Sequence, residues 1–597
     1  MPIDQVPSDR VTESVLSRIA EFPGLAARLA PVNRVLDLYQ RVRRSPQGFG
    51  LENLLAQMRV GLRAGAADQA RIPASGPVVV VANHPYGMLD GAILTVLLTR
   101  VRPDVKVLTN LLLSDVPELQ QHCIFVDPLQ TDRSVESNRR AVRQALSWLQ
   151  QGSMLAVFPA GEVSHWEMPT VQIADRQWND MAVRMIRRSG ASALPVYFCG
   201  RNSVGFQLLG MVHPKLRTAF LLQEFLRQEG KTVEVRVGSE IAHDTVAAIQ
   251  DDREATDYLR WRTYLLARRK KSYPSPLMAV RSRIALRAQE RVAAPAPPEL
   301  LAEEVARLPV DRCLAQNGDL AVYLGTASEI PQLLREVGRL REATFRKAGE
   351  GTGKSLDLDH FDDYYWHLVL WHKIECKLLG AYRAGNTAEI LAKHGISGLY
   401  TSTLFRYDER IFRKLGPALE LGRSFVRPEY QRQYAPLLLL WKGIARLIAM
   451  WPEIPVLFGA VSISNDYNKT SREIMYRFFE ARMQDELAGL VEPRSPFRPP
   501  LLRRWDYRSM CLALRDLDEL AQPITDVEAD GKGLPILLRH YAKVGGKLVG
   551  FNVDRKFSNV LDGLMVVDLR QTDPAVLERY MGREAATRFR ELHAVAG

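Results

Sequence analysis

A histidine and an aspartate that could move a proton stand at the end of an apolar run. Val78-Val79-Val80-Val81-Ala82 leads into Asn83-His84-Pro85-Tyr86-Gly87-Met88-Leu89-Asp90. A β-branched run this short reads as a buried strand, so His84 and Asp90 fall at its exit, where α/β folds place their chemistry. A His oriented by a carboxylate can take a proton from a hydroxyl. Gly87 lies between them and permits a turn conformation that other residues avoid. The alternative is a polar turn closing a core strand, the commoner fate of a lone His. A second polar segment at a second strand end weighs against it: Met154-Leu155-Ala156-Val157 runs into Phe158-Pro159-Ala160-Gly161-Glu162-Val163-Ser164.

These segments need a sheet to hold them. Residues 105–108, 123–126 and 194–198, and the alternating Val233, Val235 and Val237, read as further strands. Helical spacing lies between them, at 91–99 and from a Ser134 cap through Val142, Ala145, Leu146 and Leu149 to a stop at Gly152. Such alternation implies an α/β domain with a largely parallel sheet. Residues 1–75 read as helical and basic. Arg41, Arg43 and Arg44 follow Leu36, Leu38 and Tyr39, a pattern suited to a membrane surface or to ordinary helix packing. Composition changes between 266 and 312, where Arg268-Arg269-Lys270-Lys271 precedes the stiff Ala293-Ala294-Pro295-Ala296-Pro297-Pro298. The domain boundary belongs there.

From 313 to 597 the order of elements differs. Residues 320–324 read as a strand, with Ser328 capping a helix that carries Leu333, Leu334, Val337 and Leu340. Residues 367–371 and 377–382 read as an antiparallel pair. A strand at 418–426, a long helix from Tyr434 and a strand at 456–459 follow. The order β–α–βββ–α–β points to a mixed α+β sheet. The segment 349–355, GEGTGKS, misses the phosphate-loop spacing by one residue and has no strand before it, so it reads as a loop. Asp357, Asp359, Asp362 and Asp363 lack the order and closing Glu of an EF-hand.

A chain of 597 residues with 46% hydrophobic content can fill more than two domain-sized cores. Its five cysteines are scattered and form no CxxC, which argues for a reducing compartment and against a disulfide framework or a zinc site. No apolar run follows basic residues at the N-terminus, so no signal peptide is expected. The most apolar stretch, 437–451, is interrupted by Lys442 and Arg446 on one face, which favours an amphipathic helix over a membrane span. A net charge of +12 suits anionic partners. No zinc-finger or RNP signature speaks for nucleic acid.

The segment from Asn83-His84-Pro85 to Asp90 resembles the first motif of the glycerolipid acyltransferases related to lysophosphatidate acyltransferase. The 158–164 segment resembles their FPEGTRS motif, and Ala193-Leu194-Pro195-Val196 a later apolar-proline motif. All three come in the family's order, over about residues 50–260. The resemblance implies that His84 is general base on an acceptor hydroxyl and that Asp90 orients it. It implies that Asn83, Phe158, Pro159, Gly161, Glu162 and Ser164 bind the acceptor. The family spaces its pair H-x4-D, whereas five residues separate His84 from Asp90; a bulge at Gly87 would absorb the extra one. Val163 replaces the motif's phosphate-facing Arg, which points away from glycerol-phosphate acceptors.

Residues 315–570 resemble GNAT-like N-acyltransferases of the hemolysin-related and acyl-homoserine-lactone-synthase type. The resemblance rests on Arg341 to Phe345, Asp359 with Asp362, Gly380-Ala381-Tyr382-Arg383, and Glu420 to Val426. It implies acyl carrier protein thioesters as donors and an amino acceptor. It makes Glu420 the general base and sets Arg341, Asp359, Asp362, Arg383 and Arg423 around the substrates. The two halves in this order resemble the bifunctional ornithine lipid synthases, in which an amide with a 3-hydroxyacyl chain is made first and its hydroxyl is then esterified. The implied organisation is a helical, basic region at 1–75, an α/β O-acyltransferase domain at 76–265, a linker at 266–312 and a GNAT-like α+β N-acyltransferase domain at 313–597. No cofactor is expected beyond the carrier-protein thioester. Expected partners are acyl carrier protein, ornithine or another amino acid, the lyso-aminolipid, and the anionic cytoplasmic face of the inner membrane, held peripherally. Two alternatives stay open: an acyltransferase for another amino acid or a lysophospholipid with one half degenerate, and a non-catalytic lipid-holding protein.

Overall fold

The computed structural model describes residues 29–127, 132–167, 172–203, 205–207, 214–269, 289–483, 485–499, 510 and 514–594. The chain divides into two compact units, Met1–Arg269 with Leu502–Gly531, and Lys270–Leu501 with Lys532–Gly597.

A seven-stranded sheet organises the first unit. Its strands are β1 (Gly61–Arg63), β2 (Val78–Ala82), β3 (Val105–Asn110), β4 (Cys123–Val126), β5 (Met154–Val157), β6 (Ser192–Cys199) and β7 (Thr232–Val237). They lie in the order β1-β7-β6-β2-β5-β3-β4. The five from β6 to β4 are parallel, and β7 is antiparallel to β6. β2 is the central strand, paired on both edges, and all five of its residues are buried. That is why its sequence is an unbroken apolar run rather than an alternation. Helix α1 (Leu29–Arg43) precedes the sheet, and α2 (Met88–Thr99), α3 (Asp132–Gln150), α4 (Met181–Ser189) and α5 (Asp252–Leu265) lie between or after its strands. α3 begins two residues before the expected Ser134 cap.

Part of the basic surface expected of this region is paired within the fold. Arg43 lies 3.6 Å from Glu118, which also accepts the Tyr39 hydroxyl. Arg269 donates to Asp68 at 2.6 Å and to the carbonyls of Val237 and Asp526. Lys270 and Lys271 lie outside the described residues. The first unit also takes back a piece of the far half of the chain. On the helix Leu517–Val527, Asp526 is fully buried. It accepts Arg262 Nη2 at 2.9 Å, itself fully buried, and both Ser239 N and Oγ. Composition alone had kept this segment with 313–597.

An eight-stranded sheet organises the second unit. Its strands are β8 (Cys313–Asn317), β9 (Leu320–Gly325), β10 (Trp366–His372), β11 (Lys377–Asn386), β12 (Ala418–Val426), β13 (Val456–Ile463), β14 (Lys547–Asp554) and β15 (Val560–Asp568). The order is β8-β9-β10-β11-β12-β13-β15-β14. The five strands expected from sequence are β9 to β13; β8, β14 and β15 were not foreseen. Every neighbouring pair is antiparallel except β12 with β13, which pair in parallel over 418–420 and 456–458 and then part.

Helix α6 (Pro298–Arg307) precedes β8, α7 (Pro331–Lys347) follows β9, and α8 (Tyr434–Met450) joins β12 to β13. Ser328 is not the cap of α7. The Glu304 carboxylate on α6 accepts Gln332 N and Leu333 N, each at 2.8 Å, and so satisfies two of the amides a helix start leaves open. In α8, Lys442 and Arg446 are exposed while Leu440, Ile444 and Leu447 are buried. No described helix is long and apolar enough to cross a membrane. The GEGTGKS loop turns its own amides inward: Thr352 N and Gly353 N donate to Glu342 at 3.0 and 2.9 Å.

Candidate functional site

In the first unit the chemistry gathers at the carboxyl end of β2. His84 Nδ1 lies 3.0 Å from Asp90 Oδ2. The extra residue is absorbed where the glycine permits it: Gly87 has φ +72°, a left-handed turn. That turn starts α2 early enough to put Asp90 in its first turn. The same Oδ2 accepts Tyr86 N at 2.8 Å and Gly87 N at 3.0 Å. Asp90 is fully buried; burial raises its pKa, and the hydrogen bond from His84 works against that rise. A carboxylate bound to Nδ1 selects the tautomer with its proton there, which leaves Nε2 to accept a proton from a hydroxyl. The imidazole stacks on Phe158 at 4.2 Å between ring centres, so the second motif sets the plane of the ring.

The two motifs are tied together behind this face. Ser164 N donates to the His84 carbonyl at 2.9 Å. Asp175 Oδ1 accepts both Ser164 Oγ at 2.5 Å and His84 N at 3.2 Å, and its Oδ2 accepts Trp178 Nε1 at 2.9 Å. Asp175 is fully buried. It lies outside both motifs, and nothing in its local sequence marks it; only the folded chain brings it under the histidine.

Other expected site residues hold the frame. Asn83 Oδ1 accepts Phe198 N at 2.7 Å and its Nδ2 donates to the Phe198 carbonyl, so it clips β2 to β6 instead of reaching an acceptor. The Pro159 carbonyl accepts Asn179 N and Nδ2. Gly161 turns at φ +68° and is exposed. Val163, in the place of the motif's Arg, is buried. Glu162 pairs with Arg176 at 3.2 Å, so this edge does carry a cation, contributed by a different segment.

In the second unit the charged residues singled out from sequence meet as one buried network. Asp362 lies 3.2 Å from Arg341 and 3.1 Å from Arg383; Asp359 lies 2.6 Å from Arg383 and 3.6 Å from Arg423. Asp357 adds a pair with Arg423 at 3.2 Å. Burial alone would raise the pKa of Asp362, but the two guanidinium groups outweigh it and hold the carboxyl well below its usual range. His367 Nε2 donates to the Asp362 carbonyl at 2.9 Å, and burial lowers the pKa of the ring to about 4. Arg423 stands at φ +50° beside an irregularity in the β11–β12 ladder. Its guanidinium lies 5.0 Å from the ring of Tyr400, and that of Arg383 lies 4.9 Å from the same ring. Such contacts are favourable for buried cations.

Glu420 faces this network from β12 with its oxygens engaged. Oε1 accepts Thr401 N at 2.7 Å; Oε2 accepts Tyr400 N at 3.1 Å and the Tyr365 hydroxyl. It therefore holds the turn that presents Tyr400. A second carboxyl on this sheet escaped the sequence reading. Asp562 on β15 is buried, accepts Ser462 Oγ at 2.7 Å, and has its pKa pushed up to about 7 by burial. It was missed because β15 was not read as a strand. Among the described residues, no group of three His, Cys, Asp or Glu could hold a metal ion.

Sequence comparisons agree with two acyl-transfer domains. An acyltransferase family model matches residues 52–272, and a model described as acetyltransferase (GNAT) domain matches 340–442. The chain is an acyltransferase enzyme with one domain of each kind. A glycine N(alpha)-acyltransferase of Bacteroides thetaiotaomicron is 29% identical over 288 residues, 45% of this chain and 83% of that protein. Its namesake from Phocaeicola vulgatus is 32% identical over 220 residues, 35% of this chain and 66% of that protein. Among solved structures, the 1-acyl-sn-glycerophosphate acyltransferase PlsC of Thermotoga maritima aligns at 15% identity over 45% of this chain and 98% of its own, with a TM-score of 0.24, too low to bear on the fold.

Proposed function

We propose that the protein is a bifunctional aminolipid synthase. The second unit joins a 3-hydroxyacyl group from acyl carrier protein to the α-amino group of an amino acid. The first unit then esterifies the new 3-hydroxyl with a second acyl group. The observation that carries this reading is that each unit has its own centre for moving a proton: the His84–Asp90 pair at 3.0 Å in the first, and a buried carboxyl face in the second.

In the ester step the substrate hydroxyl bonds His84 Nε2. As the oxygen attacks the thioester carbonyl, its proton passes to Nε2, and Asp90 stabilises the imidazolium that forms. In the amide step a carboxylate takes the proton of the attacking amine; Glu420 is the candidate offered by the sequence. Neither proposed step calls for a metal or prosthetic group, only the thioester as co-substrate.

Ornithine as acceptor rests on the family resemblance of the two halves in this order. A second reading, glycine, is favoured by the likeness to the two glycine N(alpha)-acyltransferases. With a net charge of +12, the protein would attract an acidic carrier protein and anionic lipid on the cytoplasmic face of the membrane. The test is mass spectrometry of lipids from a host without aminolipids that expresses this chain. A diacylated amino-acid lipid is expected, and its headgroup mass separates ornithine from glycine. An unchanged lipid profile, with no thioester consumed by the purified protein, would sink the proposal.

A further inference from the structure

The face of the second sheet that carries Glu420 carries another carboxyl, and register shows it. Glu420 lies opposite Phe458, and Phe458 opposite Val566. Ser462 stands four residues beyond Phe458 on the same strand, so it shares that face, and it lies opposite Asp562. Glu420 and Asp562 thus look out from one side of the sheet. They sit at different heights: Glu420 where β12 and β13 still pair, Asp562 beside the half of β13 that has left β12. Beyond 420 and 458 the ladder between these two strands stops, so the edges of 422–426 and 460–463 are not paired with each other.

The two carboxyls differ in what occupies them. Glu420 accepts three hydrogen bonds and anchors a turn. Asp562 accepts one among the described residues, from Ser462 Oγ at 2.7 Å. The three donors occupy both Glu420 oxygens, and two of them tie it to the backbone of the turn. We propose that Asp562 is a catalytic residue of the N-acyl step, taking the proton from the amino nucleophile where β12 and β13 part. This rests on the N-acyltransferase reading of the second unit. The amine nitrogen bonds the thioester carbonyl carbon and the carbon–sulfur bond breaks. The nitrogen's proton goes to the Asp562 carboxylate and then to the departing thiolate, which leaves as the free thiol and regenerates the base.

The surroundings suit that role. Asp554 and Glu350 are the acidic groups that raise the Asp562 pKa after burial, Arg423 lowers it, and Ser462 favours the ionised form. Arg472 and Tyr400 also interact with it. The balance puts its titration at about pH 7, where a general base works best. Glu420 keeps a positioning role, through Tyr400 and the turn at 400–403.

The experiment is single-turnover amide formation by the purified protein, with 3-hydroxyacyl carrier protein and with glycine and ornithine each as acceptor. Asp562→Asn should lower the rate by about 10²–10⁴-fold with acceptor KM changed less than about threefold. Asp562→Glu should restore much of the rate. The wild type should show an ionisation limb near pH 7, separate from the acceptor ammonium's own limb at higher pH, and Asp562→Asn should lack it. Ser462→Ala keeps the carboxyl but removes its donor, so its limb should move to higher pH. A near-normal rate and an unchanged limb in Asp562→Asn, with the rate lost instead in Glu420→Gln, would overturn the proposal. If Asp562→Asn does not fold, an unmoved limb in Ser462→Ala overturns it equally. A wild type that forms no amide with either acceptor overturns the N-acyltransferase reading itself, which an active wild type indifferent to Asp562 would leave standing.

Discussion

The reactive groups of the two units are assembled in opposite ways. In the first, His84 and Asp90 belong to one strand–turn–helix passage, and a single left-handed glycine brings them to 3.0 Å. In the second, Arg341 comes from a helix, Asp357, Asp359 and Asp362 from a turn, and Arg383, Arg423, Glu420 and Asp562 from three strands. A local pair can lose one side chain and leave its scaffold intact. A buried network of opposite charges cannot, because each removal strands a partner away from water. The first site should therefore fail in rate, and the second should fail in folding unless the substitution preserves shape.

The largest effect is expected at His84. On the proposed division of labour, His84→Ala should lower the ester step by about 10³-fold or more while amide formation continues, so cells should accumulate the mono-acylated 3-hydroxyacyl amide. Lipid mass spectrometry reads both products at once. Loss of both lipids would show that the amide step depends on the first unit, and unchanged diacyl lipid would return His84 to the role of a turn residue.

Next is Asp362→Ala. It leaves Arg341 and Arg383, both fully buried, without their shared carboxylate. The cost should be about 3–5 kcal/mol of stability in the second unit, seen in calorimetry as a transition that moves down while the other holds. Two transitions shifting together would mean that the units do not unfold separately.

Asp562→Asn should behave oppositely to most buried substitutions. The folded-state pKa of Asp562 is raised from 3.8 to about 7. The stability tied to its proton is therefore complete below about pH 4 and is lost as pH rises through about 7. The amide cannot ionise, so at pH 8 the variant should exceed the wild type by an amount on the order of 2–4 kcal/mol. At pH 4 the two should melt alike. A difference independent of pH would show that Asp562 does not titrate in this window.

The smallest effect sharpens the account of the first site. Asp175→Asn keeps the shape of the acceptor for His84 N and Ser164 Oγ but removes its charge. About a tenfold loss in the ester rate is expected, equivalent to about 1.4 kcal/mol, with the His84→Ala accumulation pattern in weaker form. An equal loss of amide formation would point to general instability instead.

How much of this was legible in the sequence follows the same divide. The apolar run at 78–82 and the glycine at 87 were enough to place His84 beside Asp90, since the two stand six residues apart in one strand–turn–helix passage. The central strands β9 to β13 were readable from their periodicity, and so was the buried sheet of the first unit. The charged residues of the second half were named from family resemblance, but their spacing alone did not say which pairs with which.

What the sequence determined by itself was therefore local: the central strands of each sheet, the turn at Gly87, and the His84–Asp90 pair. What only tertiary structure decided was long-range. It brought Asp175 under His84, gave Asn83 to the backbone of Phe198, occupied the oxygens of Glu420, carried Asp526 back to Arg262, and set Asp562 on the face of Glu420. The physical reason is that propensity and periodicity act over a turn or a strand, whereas a buried polar group takes its meaning from whichever distant partner removes it from water with it. That partner is fixed by sheet register and packing, which no stretch of the chain encodes alone.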